Sequence, residues 1–198
     1  MPPKCKFTKE EITAVALDMV RETGIDAVTA RALGTRLGAS SKPIFSVFEG
    51  MDALHDAIIK AAREVYNGYV REGLSQPLPF KGVGMAYIRF AKEEPRLFQL
   101  LFMTERREKT DVLGVLPLID DNYGDILSSV RDTYGIGDDD AKALYRHLWI
   151  HTHGIATLLA NGVCSFETEE IDSMITDVFR ALLIEVKRSG KGGTGVTQ

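Results

Sequence analysis

Residues 29–48 read TARALGTRLGASSKPIFSVF, in which a helical pattern stops at a glycine, turns, and restarts. Ala32, Leu33 and Leu37 recur at helical spacing, so the stretch predicts a short helix with Thr29 as its N-cap. Gly38 ends that helix, because a glycine accepts the left-handed conformation a helix stop requires. After the turn Gly38-Ala39-Ser40 a second short helix begins, with Ser40 or Ser41 as cap and Pro43 in its first turn. Ile44 and Val47 face inward on it, and it closes at Phe48. Two short helices about a glycine turn read as a helix-turn-helix.

The residues before this pair complete a three-helix module. In FTKEEI (7–12), Thr8 and Glu11 stand at the spacing of a capping box, and Phe7 is placed to staple onto Ile12. Ile12, Val15, Ala16, Met19 and Val20 follow one helical stripe, and Gly24 supplies the stop. Beyond the module, 51–71 predicts a long helix with Leu54, Ala57, Ile58, Ala61, Val65 and Tyr69 on one side. Helical patterns return at about 80–93, break at Pro95, run on to about 105, and recur near 112–134, 139–161 and 168–188. No stretch alternates with period two. The sequence therefore predicts an all-α fold with domains at 1–48 and 49–188, and SGKGGTGVTQ (189–198) as a disordered tail.

A chain of 198 residues can bury a sizeable core without disulfides. Cys5 and Cys164 stand near opposite ends, and no secretory or membrane-spanning stretch is evident, which points to a reduced cytoplasmic setting. The net charge of −4 argues against a broadly basic surface. Residues 1–50 nonetheless hold seven Lys or Arg against six acids, leaving 17 bases and 22 acids for the rest. A near-neutral module with clustered bases can bind phosphates while an acidic body is held off nucleic acid.

Taken in order, these stretches resemble the tetracycline-repressor type of transcription regulators. Residues 7–58 match that family's N-terminal pattern: a leading helix, a glycine, a Thr-capped second helix, Gly-x-Ser, a short recognition helix ending in Phe48, and Leu54 on the fourth helix. YIRFAKEEPRLFQLLF (87–102) and LWIHTHGIATLLANG (148–162), the latter around a Trp-His-Gly pattern, are similar to one branch of its C-terminal domains. The chain departs from the usual pattern at Phe45, where many members carry tyrosine, at Val47 in place of histidine, and at Met51 in place of lysine. Each departure removes a polar group that could touch the phosphate backbone.

A recognition helix exposes a few side chains to base edges while others anchor it. With Ile44, Val47 and Phe48 inward, the outward set is Ser41, Lys42, Pro43, Phe45 and Ser46. Lys42 can donate to guanine, Ser46 can pair with several bases, and Phe45 or Pro43 can meet a thymine methyl. Thr29 sets a helix N-terminus at a phosphate. Arg31, Ser40 and an arm carrying Lys4 and Lys6 complete the expected DNA contacts.

In the body, Tyr87, Phe90, Phe98, Phe102, Met103, Trp149, His151 and His153 are the expected lining of a small-molecule pocket, apolar with a few polar groups, and Arg89 is a further candidate polar member. Ile171, Met174, Ile175, Val178, Phe179, Leu182 and Val186 give the last helix an apolar face broad enough for a homodimer, and the resemblance implies pairing through a four-helix bundle. His147 and His151 share a helical face, as zinc ligands on a helix do, but His153 points away from them and no carboxylate stands at ligand spacing. No nucleophile or phosphate-loop motif is present, and DDD (138–140) reads as a helix start. The expected function is a homodimeric repressor, released from palindromic double-stranded operator DNA by an apolar or aromatic effector, with no cofactor, metal or membrane. The rivals are an all-α protein-interaction module and a helical enzyme using His147 and His151.

Overall fold

The computed structural model of the chain describes residues 7–105 and 110–191, with side chains described through 188. Lys4, Cys5, Lys6 and residues 192–198 of the expected tail lie outside the described residues. Ten α-helices and no strand occur among the described residues: α1 (Lys9–Thr23), α2 (Ala30–Arg36), α3 (Lys42–Phe45), α4 (Met51–Leu74), α5 (Pro79–Glu93), α6 (Pro95–Phe102), α7 (Val112–Ile119), α8 (Tyr123–Tyr134), α9 (Asp138–Ala160) and α10 (Thr168–Lys191). A single 3-10 turn, Ile25–Ala27, joins α1 to α2.

The chain divides into two compact units. The first takes Met1–Tyr66 with Glu94–Glu105, and the second takes Asn67–Glu93 with Arg106–Gln198. One of the three boundaries falls inside α4; another falls where Glu94 leaves helical geometry and Pro95 opens α6 without needing a backbone donor.

In the first unit, α1 starts on the expected capping box: Thr8 Oγ1 accepts from the Glu11 amide at 3.1 Å, and the Thr8 amide donates to Glu11 at 2.8 Å. Ile12, Ala16 and Val20 bury the inner stripe of α1, which packs against α2 and α6. Leu33, Ile44, Leu54, Ile58, Leu97 and Phe98 join it with no measurable exposure. Each such side chain removed from water stabilises the unit by about 1.5–3 kcal/mol. On α4 the buried stripe is Leu54, Ile58, Ala62, Tyr66 and Val70; Ala57, Ala61, Val65 and Tyr69 of the expected stripe are only half-buried.

In the second unit, α5 packs on α9, α8 packs on both, and α10 lies against α9 and α5. Phe80, Phe90, Leu116, Ile126, Val130, Leu144 and Ile155 fill its interior. The expected helical pattern over 112–134 is broken. Asp120 is extended (φ −130°, ψ 108°), and its Oδ1 accepts from the Asn122 amide at 2.9 Å. A short polar side chain that bonds the backbone two residues on competes with helix continuation, so α7 stops and α8 restarts at Tyr123.

The end of α4 and the start of α5 cross at two glycines. A Cβ on Gly73 would stand 2.8 Å from the backbone of Gly82 and Val83. Only residues without a Cβ fit so close a crossing.

Candidate nucleic-acid interface and small-molecule site

Thr29 caps α2 as expected, its Oγ1 accepting from the Ala32 amide at 3.1 Å. The turn that follows is set by Gly38 at φ 63°, with Gly38 N–H donating to the Thr35 carbonyl at 3.0 Å and Ala39 N–H to that of Gly34 at 2.9 Å. These two bonds satisfy carbonyls the helix end would leave orphaned. The sequence reading missed Gly34: it is buried, and a Cβ there would meet the Ser40 backbone at 3.0 Å. The turn thus lies directly against α2. A small residue inside a helical pattern close to a turn was the signal for it.

The second helix of the pair is shorter than expected. Its α-helical part is Lys42–Phe45, and the bonds from Ser46 N–H to Lys42 O (3.1 Å) and Phe48 N–H to Ile44 O (2.9 Å) carry the turn on to Phe48. Ser41 stands at the cap without a side-chain bond, while Ser40 Oγ accepts from the Lys42 amide at 3.4 Å. Ser46 Oγ donates to the Pro43 carbonyl at 2.7 Å. Ile44 is the anchor, and Val47 is half-buried. Phe45 is 49% exposed, an apolar ring in water beside exposed Lys42 and half-buried Pro43.

The cations of this surface differ in commitment. Arg36 is held by Glu22, and Lys9 lies 5.2 Å from the centre of the Phe48 ring. Arg31 and Lys42 are exposed and form no ion pair among the described residues.

The eight side chains expected to line a pocket fall in both units. Phe98, Phe102 and Met103 belong to the first, where Phe102 stands edge-on to Tyr66 at 5.0 Å and 5.3 Å from Phe98. Tyr87, Phe90, Trp149, His151 and His153 belong to the second. Phe90 is wholly buried against Tyr69, and Trp149 stacks on His153 with ring centres 4.8 Å apart.

Tyr87 Oη and His153 Nδ1 are 2.9 Å apart. Burial holds the His153 imidazole below its ordinary pKa of 6.5, which favours the neutral ring, and the two groups share one hydrogen bond. Burial raises the Tyr87 and Tyr145 phenols well above 10.0, and the charge of Asp120 adds to both shifts. Asp120 is itself buried, and Asn122 bridges it to Asn67 with bonds of 3.2 and 3.0 Å. A polar network thus runs through the interior of the second unit, from α4 and α5 through the α7–α8 break. His147 is exposed and His151 half-buried; no group of three or more His, Cys, Asp or Glu that could hold a metal occurs among the described residues.

The expected dimer face of α10 is divided. Ile171 and Ile175 are buried in the unit's own interior, and Phe179 meets Phe80 at 6.4 Å and Tyr134 at 4.7 Å. Met174, Val178, Leu182 and Val186 are half-buried. On α9, Ile150, Gly154 and Leu158 form an outward stripe at i, i+4 spacing, and a Cβ on Gly154 would meet nothing within 4 Å.

A cavity of about 700 Å³ opens in the second unit between the α4–α5 crossing, the face of α5 that carries Met85 and Arg89, and the start of α10. Of the expected pocket residues only Arg89 lines it.

Comparison with known proteins gives the frame for these surfaces. Residues 80–183 match the tetracyclin repressor-like C-terminal domain family. Among curated proteins none matches the sequence. A tetracycline-repressor protein of Acinetobacter baumannii, solved in complex with minocycline, superimposes with a TM-score of 0.58 at 17% identity, over 92% of this chain and 98% of that one. A tetracycline-repressor-family regulator of Mesorhizobium loti gives 0.54 at 14% identity, with the same coverage of the two chains. These two show the shared all-α fold; the family match spans more than half of the sequence. The chain belongs to the tetracycline-repressor-like family of DNA-binding transcription regulators.

Proposed function

We propose that the chain acts as a homodimeric repressor that leaves a palindromic operator when a small apolar or aromatic molecule binds the second unit. The module at about 1–48 is the DNA reader. The observation that carries this reading is the pairing of a hydrogen-bonded turn with uncommitted cations: Arg31 and Lys42 stand exposed without ion pairs among the described residues, on helices anchored by Leu33 and Ile44. Lys42, Phe45, Pro43 and Ser41 face the base edges, while Arg31, the α2 start at Thr29, Ser40 and the Lys4/Lys6 arm hold phosphates. Ser46 reaches a base by giving up its bond to Pro43.

Dimerisation uses the outward side of α9 and α10. Gly154 lets a partner helix approach closely between Ile150 and Leu158, and the half-buried Met174, Val178, Leu182 and Val186 extend the contact. The effector shifts a population between two spacings of the paired readers by its differential affinity for them. That the Acinetobacter baumannii relative was solved with minocycline supports a small-molecule effector of drug size. No helix among the described residues is long and apolar enough to cross a membrane, and a regulator of genes works in the cytoplasm.

Fluorescence anisotropy with duplexes drawn from the DNA flanking the protein's own gene tests the reading. The expected result is tight, salt-sensitive binding to one symmetric duplex and weak binding to its scrambled counterpart. Equal affinity for both overturns it.

A further inference from the structure

We infer that the cavity of about 700 Å³ in the second unit binds an uncharged aliphatic molecule that carries an oxygen acceptor, such as a medium-chain alcohol, ketone or ester. The inference deepens the effector reading and rests on it in one respect, that the occupant is the molecule that releases DNA.

The volume suits a small ligand, and the buried part of the lining is apolar. Gly73, Ala86, Ile88 and Ile171 are its buried residues, and Leu78 and Met85 carry the apolar surface on toward water. At the Gly73–Gly82 crossing a side chain on either glycine would collide with the backbone opposite. Main chain, rather than mobile side chains, thus shapes this part of the floor. The charged side chains of the lining, Glu72, Lys81, Arg89, Lys92 and Glu93, are all exposed or half-buried and form the rim.

The rim charges offset one another. Arg89 is held by Glu72, and Lys81 by Asp172 at 2.6 Å. Glu93 accepts from the neutral Tyr69 hydroxyl at 2.7 Å, so its negative charge is left to balance that of exposed Lys92, the residue before it. An ion of either sign would therefore leave water for an apolar floor with no net counter-charge to meet it, whereas an uncharged body loses little hydration and covers Leu78 and Met85. No aromatic ring stands among the lining residues, so a flat ring gains nothing by stacking there, and a flexible chain follows a floor of leucine, isoleucine and methionine more closely. Arg89 adds a polar demand. Its Nε is a buried donor without an acceptor, and an alcohol or carbonyl oxygen would satisfy it while bringing no charge.

The test uses the full chain without DNA and titrates it with octan-1-ol, octanoate, octylammonium and 2-naphthol, the last an uncharged aromatic alcohol of similar hydrophobicity to octan-1-ol. Calorimetry at neutral pH should show octan-1-ol binding about tenfold more tightly than either ion, and more tightly than 2-naphthol. In protein labelled at the methionine methyls, the Met85 signal, identified by its absence in Met85→Leu, should shift as octan-1-ol is added. Met85→Asp should weaken octan-1-ol about tenfold, and Lys92→Glu should leave it within about twofold. Circular dichroism and melting show whether each variant remains folded, and the wild-type methyl signal decides the location if Met85→Asp does not fold. An ion or 2-naphthol bound as tightly as octan-1-ol, a Met85 signal unmoved at saturation, a folded Met85→Asp that binds octan-1-ol as the wild type does, or a loss of about fivefold with Lys92→Glu overturns the inference. Adding the operator duplex separates the two claims. Octan-1-ol that shifts Met85 without changing operator affinity contradicts the assignment of this cavity to the effector and leaves the site standing. A chain that binds octan-1-ol here and no duplex selectively contradicts the regulator reading and leaves the site standing.

Discussion

Arg21 of α1 holds both carboxylate oxygens of Glu94: its Nε donates at 3.0 and 3.1 Å and its Nη2 at 2.9 Å, while Asp18 takes Nη1 at 2.9 Å. The pair joins the first helix of the reader to the residue that precedes α6, within the first unit. Bonding to Glu94 is the largest cause of the raised Arg21 pKa. A double-mutant cycle with Arg21→Gln and Glu94→Gln should give a coupling of about 1 kcal/mol in urea unfolding, limited by the partial exposure of the arginine. A coupling indistinguishable from zero would show that the fork does not hold α6 to α1 in solution.

Gly34→Val should destabilise the reader by about 1–3 kcal/mol, since its side chain would push against the Ser40 backbone, which cannot rotate away as a side chain would. The same variant should lose operator binding. A melting temperature unchanged from wild type would mean that the turn is looser than it stands here.

Three cations separate three roles. Lys42→Ala should cost about 1–3 kcal/mol on the preferred site and flatten base preference, whereas Arg31→Ala should weaken all duplexes alike and lower the salt slope by about one. Arg36→Ala should do less than either, because Glu22 already holds that guanidinium. Equal losses on specific and random DNA for Lys42→Ala would move it from reading bases to holding backbone.

His153 ties stability to pH. Its folded pKa lies below the ordinary 6.5, so as pH falls through about 6.5 the unfolded chain binds a proton that the folded chain refuses. This contribution is complete above that value and is lost as pH drops. Stability should therefore fall between about pH 7.5 and about pH 5.5, and His153→Gln should shrink the difference. An identical pH dependence in wild type and variant would assign the effect to other groups. The neighbours Tyr87 and Asp120 remain in both proteins.

Much of the fold was legible because it rests on local chemistry. The Thr8–Glu11 box, the Thr29 cap, the Gly38 turn and the acidic start of α9 at Asp138 are each decided by residues within one turn, and each stands where the sequence placed it. What failed depends on distant partners. The 112–134 pattern breaks at Asp120, where a bond to the Asn122 amide stops the helix while the Asn122 side chain reaches Asn67, more than fifty residues away. The sequence reading took the last helix as one free apolar face, yet Phe80 and Tyr134 claim Phe179. Gly154 opens to free space, so Gly154→Leu should disturb helix pairing and leave the interior of the second unit intact. Of the cavity's lining only Arg89 was singled out in the sequence, because a surface helix face of lysines, arginine and glycine carries no periodic signal of a hollow.

The central claim is that two copies of this chain read a symmetric duplex. Selection of bound duplexes from a random-sequence pool by the purified protein, followed by sequencing, measures that directly. The account predicts one enriched motif with two-fold symmetry, its half-sites about 34–36 Å or a near multiple apart. A pool that gains no motif, or gains one without symmetry, would contradict it.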